Sequence, residues 1–311
     1  MSLIFITGGA GFIGFHLQKQ LEGKFDVNAI DLLSPNNIAA IFRSKNLTNL
    51  VQNDIASNFL DHLKTKPDVL IHLAAETGIA GSLTNPDQYF ETNLQGTFNV
   101  LEQCRKNGVK YIIYASSSSV YSPKQELMSE ESDTKSQLSF YGTTKKMSEI
   151  MIENYCAQFG LTAIGLRFFT VYGSWTRPDM AAYKFMNNID KGLPINIYND
   201  GNVFRDFTHV SDIVKSIELL IKKIQLEPIG THKIFNIGLG SPISVLKYAT
   251  LIADTIGKEP IINFTNLPKN ELVSTFSNTN HLEEYIQYKP LYKIEDGINE
   301  MVAWFKNNKY E

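Results

Sequence analysis

Two cysteines in 311 residues leave little room for sulfur chemistry, and Cys104 and Cys156 lie too far apart to form a short-spaced ligand pair. Buried thiols in a reducing compartment are the expected state. The six histidines, His16, His62, His72, His209, His232 and His281, make no recognisable ligand set, so metal catalysis has no support in the sequence. His72, inside an apolar run, reads as a satisfied core residue. An excess of charge is missing too. The 29 basic and 32 acidic side chains leave a formal charge of -3, with no basic tract to grip a nucleic-acid backbone. No stretch approaches the roughly 20 apolar residues of a membrane crossing. The opening run MSLIFITG is too short for a signal core and has no basic region before it. The expectation is a cytoplasmic protein that takes neither nucleic acid nor membrane as partner.

What is present is an alternation. The chain is 43% hydrophobic, enough for one large core or two smaller ones. Apolar runs at 3–8, 26–31, 49–52, 68–75, 110–117 and 161–169 read as strands. Helical patterns fall between them at 12–21, at 86–106 and at 140–159. Such β–α alternation calls for a parallel sheet with helices on both faces. After Phe169 the rhythm breaks: Gly173 and Pro178 suit a loop, short strand material flanks a turn at 199–201, and 210–224 reads as a helix returning to the first unit. The predicted fold class is α/β, a doubly wound parallel Rossmann sheet with a smaller interleaved α/β substrate domain. Residues 1–169, joined by 207–238, form the dinucleotide-binding unit; 170–206 and 239–311 form the other wall of a cleft.

Directly after the first strand, TGGAGFIG places Gly8, Gly11 and Gly14 three residues apart. Gly8 suits the exit turn, Gly11 lets backbone approach a pyrophosphate, and Gly14 lets the next helix lie close to the sheet. The amides of Phe12 and Ile13 then open a helix whose N-terminus favours phosphate. Asp31 ends the second strand, where a carboxylate accepts ribose hydroxyls. A 2′-phosphate would meet like charge there, and Arg43, the nearest basic residue, is not well placed to offset it, so NAD is favoured over NADP. Asp54, followed by Ile55, either meets the adenine edge or caps a helix starting at Ile55.

Tyr141 and Lys145 in SFYGTTKK share a helix face. The strand before them ends in Ser116, Ser117, Ser118 and Ser119, at the carboxyl edge where ligands of such sheets bind. An unperturbed tyrosine, with a pKa of about 10, is a poor base near neutrality. A nearby ammonium and a positive nicotinamide ring both favour the phenolate, which can take a proton from a sugar hydroxyl while a serine hydrogen-bonds the developing carbonyl oxygen.

With these pieces the chain resembles the extended short-chain dehydrogenase/reductases along essentially its whole length. HLAAETG, NPDQYFETNLQGTFNVLE, YASSSSVY, FYGTTKK, LRFFTVYGSWTRPDM and RDFTHVSDI are similar, in matching order, to blocks of the UDP-sugar 4-epimerase branch, UDP-glucuronate 4-epimerases above all. The resemblance implies that Ser117, Tyr141 and Lys145 are catalytic, that Lys145 also binds the nicotinamide ribose, and that Ser116, Leu73, Ala74, Ala75 and Asn93 serve the cofactor side. It implies a nucleotide-diphosphate sugar as substrate, touched by Ser117, Ser118, Thr170, Arg177, Arg205 and Glu271, and a homodimer formed through helices 86–106 and 140–159. Arg177 meets the sugar carboxylate by this reading, or else a phosphate, or holds its own loop. Asp206 and Asp212 read as loop-holding or capping acids.

Departures from the pattern collect on the recognition side. Ala80 and Gly81 stand where an Arg–Tyr pair is usual, Ser122 where glycine is, and Asn270, Glu271 and Leu272 in a segment usually Gly-Asp-Val; Pro268 replaces an arginine of some galactose-type epimerases. Ser118 and Ser119 stand where a 4,6-dehydratase carries Asp–Glu. Two alternatives therefore stand beside a 4-epimerase: a 4-dehydrogenase that releases the 4-keto sugar, UDP- or GDP-linked, and an inactive NAD-binding structural or regulatory protein.

Overall fold

The computed structural model describes residues 1–60, 65–123, 126–308 and 310. Its centre is a seven-stranded, wholly parallel sheet built from β1 (Leu3–Thr7), β2 (Asp26–Asp31), β3 (Leu50–Gln52), β4 (Val69–His72), β5 (Tyr111–Ser117) and β6 (Thr162–Phe168), completed by a strand at His232–Ile237. Between the last two lie the short strands β7 (Thr170–Tyr172), β8 (Ile195–Tyr198), β9 (Phe204–Arg205) and β10 (Phe207–His209), so the seventh sheet strand is β11, followed by β12 (Ile243–Ser244) and β13 (Ile262–Thr265). The order β11-β6-β5-β4-β1-β2-β3 reverses direction at β1 and β4, the place where open α/β sheets leave a ligand crevice. The predicted doubly wound architecture is what the chain adopts.

Side-chain alternation explains why these strands read as unbroken apolar runs. Ile4, Ile6, Val69, Ile71, Ile113, Ile164 and Leu166 point to one face, against helices Phe12–Leu21 and Val210–Ile224. Phe5, Leu70, Ile112, Tyr114 and Ala163 point to the other, against Thr97–Asn107 and Phe140–Phe159. Both faces are covered, so both registers must be apolar. A separate core joins Tyr172, Phe185, Phe207, Tyr248, Ile298 and Trp304. Helix Asn280–Ile286, although late in the chain, packs Leu282 and Ile286 on the sheet instead.

One element differs from the sequence expectation. The single helix expected over 86–106 is broken into Pro86–Tyr89, a wide π-helical stretch Phe90–Gly96, and Thr97–Asn107. The carbonyl of Asn93 is drawn off by the hydroxyls of Thr97 (2.6 Å) and Ser148 (3.2 Å), which accompanies the wider winding. The short strands expected around the turn at 199–201 are present and pair with later strands: β8 runs parallel to β13, and β9 antiparallel to β12. Among the described residues no helix is long and apolar enough to cross a membrane.

Candidate active site

The glycine turn closes against the chain leaving β4. A Cβ at Gly8 (φ +74°) would stand 2.6 Å from the Ala74 amide nitrogen, and one at Gly14 2.2 Å from the Gly8 carbonyl oxygen. Leu73 donates to the Thr7 carbonyl at 3.1 Å, holding 73–74 beneath the turn, with Ala75 next in the chain. Gly11 precedes helix Phe12–Leu21 with no side-chain cap, so the first helical amides, Phe12 and Ile13 included, have no capping side chain. Asp31 accepts from Ala10 N (3.0 Å) and Leu33 N (3.1 Å) beside the turn. Burial raises its pKa, while the amides of Leu33, Ala10 and Gly11 draw it back down. The cradle thus has the clearance, bare amides and terminal acid that a dinucleotide needs. Asp54 is used locally: its Oδ1 accepts from Ala56 N at 2.9 Å in a turn. No helix starts at Ile55, whose Cδ1 instead lies where a Cβ on Gly96 would be, at 2.5 Å.

Across the crevice, Ser117, Tyr141 and Lys145 come together. Ser139 caps helix Phe140–Phe159, accepting from Gly142 N at 3.1 Å. The helix then approaches the serine loop so closely that a Cβ on Gly142 would be 2.2 Å from the Ser119 carbonyl oxygen. The Tyr141 phenol lies close enough to the Ser117 side chain to feel it, and the Ser117 oxygen accepts from Ser119 N at 3.1 Å. Lys145 is buried and donates from Nζ to the Ala115 carbonyl at 3.0 Å; burial lowers its pKa to about 8. Tyr141 itself is pushed above its ordinary value by burial, with the Ser117 side chain and the positive charge of Arg177 pulling the other way. The lysine-lowered phenol expected from the sequence is therefore not what the protein's own groups produce: the lysine is occupied with Ala115, and Arg177 is the cation that acts on the ring.

The remaining expected residues divide. Ser116 points opposite Ser117 and donates to Glu149 Oε1 at 2.7 Å, joining a buried ion pair in which Arg167 meets Glu149 twice at 2.9 Å. Its hydroxyl is thereby committed to holding the helix to the sheet. Asn93 fixes the loop after β4, accepting from Glu76 N (2.8 Å) and donating to Glu76 O (3.0 Å) and Thr144 Oγ1 (3.0 Å). Ser118 lies in a short 3-10 turn, Ser118–Val120. Arg177 forks onto Asp179 and also donates to the Thr77 hydroxyl. Thr170 opens β7, its amide bonded to the Asp206 carbonyl at 3.1 Å. Arg205 and Glu271 find each other at 2.9 Å. Asp206 binds the amides of Leu239, Gly240 and Ser277, so it holds its loop. Asp212 does not cap its helix; it takes Tyr288 Oη and the amides of Leu291 and Tyr292, while His209 Nδ1 caps by accepting from Ser211 N.

Sequence reasoning passed over several neighbours. Gly142 could have been noticed as a glycine inside a helical pattern. Tyr89, edge-on to Tyr141 at 6.2 Å, donates to the carbonyls of Thr77 and Gly78, and a Cβ on Gly81 would fall 2.5 Å from its hydroxyl. The departure at Gly81 thus makes room for a tyrosine from elsewhere in the chain. His72, by contrast, is the satisfied core residue the sequence led one to expect: it bridges Thr7 Oγ1 (2.7 Å) and Thr97 Oγ1 (3.0 Å), and burial lowers its pKa to about 3.

Residues 4–238 match the model of the NAD dependent epimerase/dehydratase family. The chain belongs to that family. The protein CapI of Staphylococcus aureus is 36% identical, over 97% of this chain and 98% of its own. A UDP-glucuronate 4-epimerase of Thermodesulfobacterium geofontis is 33% identical, over 99% and 97%. Among solved structures, the UDP-glucuronic acid 4-epimerase from Bacillus cereus, in complex with UDP-glucuronic acid and NAD, superposes with a TM-score of 0.88 at 28% identity, over 98% of this chain and 99% of that one.

Proposed function

We propose that this chain is an NAD-dependent nucleotide-sugar 4-epimerase of the UDP-sugar type, with a UDP-hexuronate as the first substrate to try. The observation that carries this reading is the convergence of the Ser117 and Tyr141 side chains, with Lys145 one helical turn on, across the crevice from a glycine turn too tight for side chains. The full-length similarity to UDP-glucuronate 4-epimerases supports it. Gly8, Gly11, Gly14 and Asp31 would hold the dinucleotide, with Leu73, Ala74 and Ala75 beneath it.

In this mechanism Tyr141 takes the proton from the sugar C4 hydroxyl and returns it to the inverted centre. Ser117 hydrogen-bonds O4 and keeps it within reach of the phenol. Lys145, anchored on Ala115, presents its ammonium to the cofactor ribose side. Bound NAD would accept and return the C4 hydrogen, and its positive ring would add the cation that Tyr141, raised by burial, needs in order to ionise. Arg205 takes the diphosphate, which competes with Glu271 for the guanidinium. Thr170 and Arg177 face the sugar. The 4-keto sugar must turn over between the two half-reactions.

The same reading assigns 1–169 and 207–238 to the cofactor and 170–206 and 239–311 to the nucleotide sugar. It makes the protein a cytoplasmic homodimer: Phe90, Phe98, Met147 and Ile150 are 52%, 49%, 46% and 56% exposed on the two long helical segments that would pair.

The test is to incubate the purified protein with UDP- and GDP-sugars, UDP-glucuronate included, and follow mass, NMR and NADH absorbance. Inversion at C4 with unchanged mass and no net NADH supports the epimerase. Loss of two hydrogens with stoichiometric NADH transfers the assignment to a 4-dehydrogenase, and bound NAD without turnover of any sugar transfers it to a binding protein.

A further inference from the structure

Arg43 is a charged side chain with 0% exposure, on helix Ile38–Ser44. Among the described residues no carboxylate forms an ion pair with it. Its hydrogen-bond partners are dipoles: Nε donates to the Ala10 carbonyl at 2.7 Å, and Nη1 to the Trp175 carbonyl at 2.8 Å and the Tyr310 hydroxyl at 3.3 Å, while the Asp31 carboxylate attracts it only at longer range. A buried cation held this way is expensive, and an apolar side chain of similar volume would ordinarily suit the space better. The directional fork of the guanidinium is what an apolar chain could not reproduce.

Each end of the fork rests on a turn facing the cleft. Ala10 lies inside the glycine turn, and the two peptides flanking it are each held, the Ala10 N–H by Asp31 and the Ala10 carbonyl by Arg43. Trp175 belongs to the loop that reaches Arg177 two residues later, and Arg177 is the cation that acts on Tyr141. The Trp175 backbone has φ +62°, a left-handed conformation that a bulky residue keeps only where its surroundings impose it. Those surroundings come from both walls. The Trp175 carbonyl also accepts from Tyr310 at 3.0 Å, its ring lies 5.0 Å from Phe15 and 5.5 Å from Trp304, and the preceding Ser174 carbonyl is bonded to His16 Nε2 at 2.8 Å.

We infer that Arg43 is a positioning residue that couples the dinucleotide seat to the sugar-side turn, so that filling one site strengthens binding at the other. The inference rests on the NAD and nucleotide-sugar reading above. The coupling is reciprocal: a dinucleotide that firms the Ala10 peptide also firms the Trp175 carbonyl, and a sugar that engages the Arg177 turn feeds back on dinucleotide release.

The experiment uses the full chain carrying Tyr141→Phe, so that no turnover alters the cofactor. NAD release is timed with and without saturating UDP-glucuronate or UDP-glucose, whichever binds, and sugar affinity is measured with and without NAD. In that parent, sugar should slow NAD release by about tenfold, within the usual range for coupled sites. Adding Arg43→Lys should leave both ligands binding but bring the factor to about twofold or less. Tyr310→Phe, which keeps the ring and removes only the hydroxyl, should fall between and guards against an Arg43 variant that fails to fold. A purely structural role would lower the melting temperature and leave the coupling factor unchanged; that result, or a parent with no coupling, overturns the inference. Failure of the parent to bind NAD at all would sink the functional assignment itself, and this inference with it.

Discussion

Ser117, Tyr141 and Lys145 stand on a strand and a helix that cross the middle of the molecule, whereas Arg177 and Glu271 sit on loops, and Arg205 on the two-residue strand β9, at its rim. The first group is fixed by features with no slack: a glycine pressed against the Ser119 carbonyl, a Lys145 ammonium on Ala115, and a Glu149–Arg167 pair whose side chains are 2% and 4% exposed. The rim residues hold one another through charge: Arg205 with Glu271, at 16% and 30% exposure, and Arg177 with Asp179. Ion pairs of that kind are weak and exchangeable, so a substrate anion can displace a side-chain carboxylate without rebuilding the fold. Proton transfer demands a fixed geometry, while recognition can be retuned by trading partners, which fits the concentration of unusual residues on the rim.

The comparison breaks most sharply at Tyr141. Tyr141→Phe should reduce turnover by about 10³-fold, within the span that general acid–base groups contribute, while bound dinucleotide measured after gel filtration stays near that of the parent. Turnover within tenfold of the parent would remove Tyr141 from the proton path. Next comes Gly142→Ala. Alanine favours a helix interior by about 1 kcal/mol, yet its Cβ meets the Ser119 carbonyl, so a net loss of about 1–3 kcal/mol is expected from overpacking. Denaturant midpoints read it directly, and a stabilised variant would show that the helix–serine contact has room to spare.

Acid should act on the central region before the rim. His72, lowered by burial from 6.5 to about 3, stays neutral in the fold while an unfolded chain takes up its proton. Stability is unaffected by this group above pH 6.5 and falls as pH drops toward 3, by about 1.4 kcal/mol per pH unit at most. His16, lowered to about 4, adds a similar slope over a narrower window. Replacing His72 with glutamine should flatten the pH dependence of the urea midpoint between pH 4 and 6; an unchanged slope would mean the imidazole is protonated in place. The smallest effect belongs to the rim pair. Glu271→Gln should change stability by less than about 1 kcal/mol and, by releasing Arg205, lower the KM for nucleotide sugar, whereas Arg205→Ala should raise it. Equal KM shifts in the same direction would show that the pair acts as a structural unit.

How much of this was legible follows the same division. The parallel sheet could be read because strands covered on both faces must be apolar in both registers, as Ile4, Phe5 and Ile6 are. The glycine turn could be read because clearance leaves a mark in composition. Ser116 could not: adjacent strand residues face opposite ways, and nothing in a run of four serines says which one meets Glu149. The π-helical winding around Asn93 depends on hydroxyls at Thr97 and Ser148, the latter on another helix, and no helical periodicity encodes it. Arg43 was visible only as a basic residue at a poor distance for a phosphate, since its partners at Trp175 and Tyr310 lie more than a hundred positions away.

The seventh sheet strand also sets a timetable. β11 pairs with β6 along its whole length, from His232 against Ala163 to Ile237 against Phe168, but the short strands β7–β10 and helix Val210–Ile224 are synthesised between them. Until β11 has left the ribosome, the nascent sheet presents the outer backbone of β6 as an unpaired, largely apolar border, the kind of edge that recruits neighbouring chains. A ribosome paused inside that interval would hold the protein at its most aggregation-prone moment, and translation speed between Phe168 and His232 becomes a determinant of yield that no property of the finished fold reveals.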